Sequence, residues 1–158
     1  MNEVELSIDQ VLPHAGRMML LDELLSHSDT EVAAAVTIRA DSVLCDGVNG
    51  VPAWVGMEYM AQTTCAYSGI ADVRAGMKPR VSLLLGTRSF KTSVDYFPIG
   101  SRLIMTSELV MCDDDDLSVF NCRIRCHDQE WARCDIKTIR PGNIHALIEA
   151  QRNEQSTQ

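Results

Sequence analysis

At 158 residues, 46% of them hydrophobic and 23% charged, the chain has the proportions of one soluble globular domain with a sizeable core. A net charge of -8 argues against nucleic acid, whose phosphates call for a positive field. The longest apolar stretch, 53–71, is interrupted by Glu58, Gln62, Thr63, Thr64 and Ser68, so it reads as a helix buried in protein and not as a membrane span.

The N-terminus, MNEVELSIDQ, is acidic and lacks the basic-then-apolar layout of a signal peptide, which favours the cytoplasm. Residues 18–27 and 30–39 read as two strands, the second alternating through Val32, Ala34, Val36 and Ile38, with Ser28 and Asp29 as the turn. Residues 41–51 hold two glycines and an Asn-Gly and read as a loop. Pro52 suits the first turn of a helix, where a missing N–H costs nothing. That helix runs to about residue 75, where Gly76 and Pro79 end it; Gly69 marks an early end or a close packing point. Four strands follow, at 80–90, 102–112, 117–127 and 130–139. The third turns Phe120, Cys122, Ile124 and Cys126 to one side and Arg123 and Arg125 to the other. Asp113 to Asp116 read as a solvated turn, residues 143–152 as a short terminal helix, and 151–158 as a frayed tail after a single domain of 1–150. His27, His127 and His145 fall at element edges, where exposure is expected. Cys122 and Cys126 are four apart with only His127 close by, short of a zinc set, and no cofactor or metal is expected. Two strands, a helix and four strands make an α+β fold, with a sheet packed on one apolar helix.

The helix carries the chemistry. In PAWVGMEYMAQ (52–62) a carboxylate, Glu58, sits among apolar residues, with Gln62 four positions on and Trp54 one turn earlier on the same face. A carboxylate in such surroundings needs a partner or a task. The string Glu58-Tyr59-Met60-Ala61-Gln62 resembles the E-A-M-A-Q signature of the hotdog-fold 3-hydroxyacyl-acyl-carrier-protein dehydratases. LPHAGRMMLLDEL (12–24) is similar to that family's LPHR opening, and LLLGTRSFKTSVDYFPIGSRLIM (83–105) to its later glycine, phenylalanine and PG-D-x-L stretch. The aryl-polyene-type dehydratases, with a P-x-W/W-F-x-x-E-x-M-A-Q helix, resemble it most. The resemblance implies a hotdog: an antiparallel sheet wrapped around one long central helix, at least dimeric, with the active site between subunits.

It also implies an activity, dehydration of 3-hydroxyacyl thioesters on acyl carrier protein in fatty-acid-like or aryl polyene biosynthesis. Such a reaction needs a base at the carbon next to the carbonyl, an acid for the leaving hydroxyl, and donors for the charge on the thioester oxygen. Glu58 matches the family's acid, with Gln62 orienting it. The helix start at Ala53 and Trp54 matches the carbonyl-binding turn, and Trp54 would wall an acyl tunnel. The family's base, the histidine of H-F-P-G, has no counterpart: the motif falls on Leu44, Cys45, Asp46 and Gly47, and there is no histidine between His27 and His127. His14, in the LPH motif, reads as a structural or capping residue or as lining the site. Asp46 and Asn49 occupy the loop where the histidine is missing; Asp46 would be a base if an apolar pocket raised its pKa, and a surface turn residue otherwise. Nothing near Cys45 would activate it as a nucleophile. Three readings follow: a dehydratase; a catalytically incomplete hotdog subunit that binds acyl chains or pairs with a histidine-bearing paralogue; and an acyl thioesterase using Glu58. An acidic carrier protein needs basic contacts on this acidic chain, and Arg88 and Lys91 in GTRSFKT are the local candidates, a solvated turn being the other reading.

Overall fold

The computed structural model describes residues 2–3, 6–142 and 149. In chain order the elements are β1 (Asn2–Glu3), α1 (Ile8–Val11), β2 (Glu23–His27), β3 (Glu31–Thr37), β4 (Val51–Pro52), α2 (Gly56–Arg74), β5 (Leu83–Thr92), β6 (Tyr96–Phe97), β7 (Arg102–Cys112), β8 (Leu117–Cys126) and β9 (Gln129–Ile139). Seven strands form one antiparallel sheet in the order β1-β2-β3-β7-β8-β9-β5, and β4 pairs with β6 beside it. The sheet wraps α2, which packs on β3, β7, β8 and β9 and is closed at its side by α1. This is the hotdog arrangement. Among the described residues, no helix is long and apolar enough to cross a membrane. The terminal helix and tail expected beyond residue 142, and His145 with them, lie outside the described residues apart from residue 149.

Alternation along the strands produces the layering. Phe120, Cys122, Ile124 and Cys126 of β8 and Ala132, Cys134 and Ile136 of β9 are buried against α2, while Arg123, Arg125, Arg133 and Lys137 stand on the outer, wet face. Each large side chain buried in this way contributes about 1.5–3 kcal/mol. All six cysteines are free, and four are buried. Burial pushes the Cys122 thiol up to about 12, so it behaves as a small apolar side chain.

α2 ends in two backbone bonds, from Met77 N–H to the Asp72 carbonyl at 2.9 Å and from Gly76 N–H to the Val73 carbonyl at 3.0 Å. Gly76 adopts φ +74°, the left-handed turn this ending requires. Gly69 does not end the helix. A Cβ there would lie 1.8 Å from the Val11 carbonyl oxygen, so the missing side chain lets α1 lie against α2. Gly69→Ala should lower stability by about 1–3 kcal/mol through overpacking, read as a lower urea midpoint at unchanged slope.

Two expected strands are shorter than their apolar patterns. Over 18–27 the ladder begins only at Glu23, because Gln62 takes the Met18 carbonyl and the Leu20 N–H that a strand would pair. Over 80–90 it begins at Leu83, because the Arg80 N–H is committed to the Asp72 carboxylate at 3.0 Å. His27 is 5% exposed rather than at a wet edge, and its Nε2 meets Arg74 Nη2 at 2.7 Å. Burial first, and the Arg74 charge second, hold its pKa below the usual histidine value. The aspartate run is a hairpin turn: Asp113 Oδ1 accepts the N–H groups of Asp115 and Leu117, both at 3.0 Å.

Candidate active site

The start of α2 is held by its neighbours on both sides. Pro52 pairs with Tyr96 in the β4–β6 ribbon, and the Ala53 N–H donates to the Asp95 carbonyl at 2.9 Å. Ala53–Val55 form a 3-10 turn that runs directly into the helix. The N–H groups of Trp54 and Val55 lie in this first turn and have no acceptor earlier in the helix. They present the positive end of the helix dipole. The helix start at Ala53 and Trp54 was expected to face a carbonyl; the Ala53 N–H is already given to Asp95, which leaves the N–H groups of Trp54 and Val55 without a partner in the turn.

Glu58 occupies the first turn of α2 and is half-buried. Gln62, one turn on and 1% exposed, donates from Nε2 to Glu58 Oε1 at 2.9 Å and to the Met18 carbonyl at 2.8 Å, and its Oε1 accepts the Leu20 N–H at 2.9 Å. The two backbone bonds determine which end of the amide is NH2. Gln62 therefore presents a donor to Glu58 in one orientation only. This also explains the LPHAGRMMLL segment: its turn at Gly16–Met18 is the clamp on Gln62. Beside it, Tyr59 lines a cavity of about 570 Å³ together with Met19, Leu20, Val36 and Arg39. Burial pushes the Tyr59 phenol up to about 12, so it stays protonated.

Trp54 is 60% exposed on the open side of the helix start, so it is not a core residue. Val48 and Leu44, also exposed, come from the preceding loop. Leu44 holds φ +63°, a left-handed conformation that costs a branched side chain energy.

The other candidates separate. The condition set for Asp46 as a base is reversed. Its carboxylate accepts the Val48 N–H at 2.9 Å, the Asn49 side-chain NH2 at 2.8 Å, the Gly50 N–H at 3.1 Å and the Asn49 N–H at 2.7 Å, and these bonds hold its pKa down to about 2. It closes the 46–50 loop and is a poor proton acceptor; Asn49 spends its amide on the same task. The loop returns through Gly50, at φ +119°, where a Cβ would fall 2.0 Å from the Phe97 carbonyl oxygen. His14 lies four residues before Met18, with Nδ1 buried and unbonded, and no hydrogen bond joins it to Glu58 among the described residues. His27 is paired with Arg74, which lies sixteen residues along α2 from Glu58, about 24 Å of helix. His127 is exposed in the β8–β9 turn with φ +52°. Arg88 and Lys91 are exposed, but they lie on β5 and not in a turn.

No local pattern signals the Met18–Gln62–Leu20 clamp, since its bonds span more than forty residues. Among the described residues no group of three or more His, Cys, Asp and Glu is placed to hold a metal.

The profile of the ApeP-like family, described as ApeP dehydratase, matches residues 6–149. A chain of the dehydratase heterocomplex ApeI:P from Xenorhabdus doucetiae superposes with a TM-score of 0.84 at 28% identity, over 93% of this chain and 98% of that one. A hypothetical thioesterase with coenzyme A from Streptococcus pneumoniae TIGR4 superposes at 0.59 and 12% identity, over 77% and 86%. A Streptococcus mutans UA159 protein bound to acetyl CoA does so at 0.58 and 13%, over 76% and 88%. These last two share the fold alone. No curated protein matches the chain at a significant level.

Proposed function

The chain belongs to the ApeP dehydratase family, and from that premise we propose that it supplies the acid of a 3-hydroxyacyl thioester dehydration in a site shared with a histidine-bearing paralogue. The substrate is carried on acyl carrier protein in aryl polyene biosynthesis. One observation carries this reading: Glu58 is oriented by Gln62 at the helix start, in a chain with no histidine between His27 and His127.

The reaction divides cleanly between two subunits. The paralogue's histidine takes the proton from the carbon next to the carbonyl. The electron pair forms the new double bond, the C–O bond at the 3-position breaks, and Glu58 gives its proton to the departing hydroxyl, which leaves as water. Negative charge gathering on the thioester oxygen faces the first-turn N–H groups of Trp54 and Val55. Trp54, exposed in the single chain, becomes a wall for the acyl chain when a second subunit covers it. The X. doucetiae chain comes from a dehydratase heterocomplex, ApeI:P, which supports the pairing.

The test is reconstitution. The purified chain is incubated with a 3-hydroxyacyl carrier protein, alone and mixed with a paralogue bearing the H-F-P-G histidine, and the product is followed by mass. Loss of water should require both proteins. Turnover by the chain alone that disappears in His14→Ala would place the base on His14 and end the shared-site reading.

A further inference from the structure

Charge is segregated on this molecule. The chain carries a net charge of -8. Yet β5, β8 and β9 together carry six cations, Arg88, Lys91, Arg123, Arg125, Arg133 and Lys137, all exposed on the outer face, against two acids, Glu130 and Asp135.

The register places three of the cations in one row. Lys91 is opposite Arg133, and Arg133 is opposite Arg123. Directly opposed like charges in a sheet are destabilising. Here the row is relieved by one carboxylate, Glu130, which lies 3.4 Å from Arg123 and 3.7 Å from Arg133. The Lys91 side chain has no ion pair or hydrogen bond among the described residues. The row lines a shallow cavity of about 240 Å³ with Ser89, Asn121 and Asp135. At its edge β5 is bulged between Arg88 and Lys91, where Ser89 takes φ +55°. An anionic occupant would offset this cost.

The face lies close to the candidate active site. Asp95 lies four positions after Lys91, a span of at most about 14 Å, and the Asp95 carbonyl holds the Ala53 N–H at the start of α2. We propose that the outer face of β5, β9 and β8, centred on Lys91, Arg133 and Arg123, docks an acidic protein. Resting on the function proposed above, that protein is the carrier that presents the thioester. The six cations spread over three strands fit the carboxylates of a protein surface, and a single phosphate would use only the central row. A carrier bound there sits where a flexible pantetheine arm can pass the end of β5 and reach the helix start.

Binding tests this without turnover. A purified, acidic, phosphopantetheinylated acyl carrier protein is titrated by calorimetry into the full chain, with and without its histidine-bearing partner, at low and high salt. Wild-type binding should weaken as salt rises. Lys91→Glu sets a carboxylate opposite Arg133, so its thermal stability should hold or rise. Its affinity for the carrier should nonetheless fall about tenfold or more. Glu130→Gln removes the carboxylate between Arg123 and Arg133 and should tighten binding. Unchanged affinity in both variants overturns the proposal, as does equal or tighter binding of a short DNA duplex. An assembly that binds the carrier as described yet performs no dehydration defeats the proposed reaction and leaves the docking face standing. Normal dehydration with carrier affinity indifferent to both variants does the reverse.

Discussion

Glu58→Gln should lower dehydration by the assembled enzyme by roughly 10²-fold or more, the usual size of a lost general acid. The substitution keeps the side chain's shape and an oxygen that can accept the 2.9 Å bond from Gln62. What it removes is the transferable proton. Stability should therefore change by no more than about 0.5 kcal/mol, as for a half-exposed position whose packing is kept. The measurement is single-turnover dehydration of a carrier-bound substrate, with melting of the variant recorded beside it. A variant that keeps full rate takes the acid role away from Glu58. Gln62→Leu is the contrasting change, since it unpairs Met18 and Leu20 as well as Glu58 and so costs stability along with rate.

The largest loss of stability should come from the opposite end of α2. Asp72 is 2% exposed at its side chain and accepts from Arg80 Nε and Nη2 at 3.2 and 3.0 Å, from the Arg80 N–H, and from Arg140 Nη2. It ties the helix end to the entry of β5 and the exit of β9. Asp72→Ala leaves Arg140, 14% exposed, as an uncompensated charge, while Arg80, 44% exposed, can turn to water. The cost is therefore at the lower end for a broken buried pair, about 3 kcal/mol. For a chain of this size that is a fall of roughly 9 °C in melting temperature. The acid limb should change too. Burial alone would raise the Asp72 pKa, but the bonds from Arg80 and Arg140 outweigh it and hold it below the ordinary aspartate value. Its contribution is then fully present above that ordinary value and is lost as pH falls through the lower, folded one. Wild type should lose stability over that acid window more steeply than Asp72→Ala. Parallel acid limbs would contradict the assignment.

Much of this molecule is legible in local pattern. The alternation of Phe120, Cys122, Ile124 and Cys126 against Arg123 and Arg125 reports a sheet with one wet face, because successive side chains on a strand point to opposite sides. Gly76 and Pro79 end α2 because few other residues can take or follow that turn. Glu58 and Gln62 share a face because four residues make about one helical turn. All of these are short-range consequences of backbone geometry, so the order of residues is enough to see them. Other features exist only because distant segments meet. Met18 and Leu20 leave the expected strand because Gln62, more than forty residues on, claims their backbone groups. Asp46 is held ionised by the turn it closes, whereas the chain left open an apolar pocket there. His27 is buried because the end of α2 brings Arg74 against it. The basic row of Lys91, Arg133 and Arg123 is scattered through an acidic chain and assembles only through the β5–β9–β8 register. Bond partners, ionisation and surface charge all depend on what folding places within a few ångströms, and that is a property of the packed chain, not of its residue order.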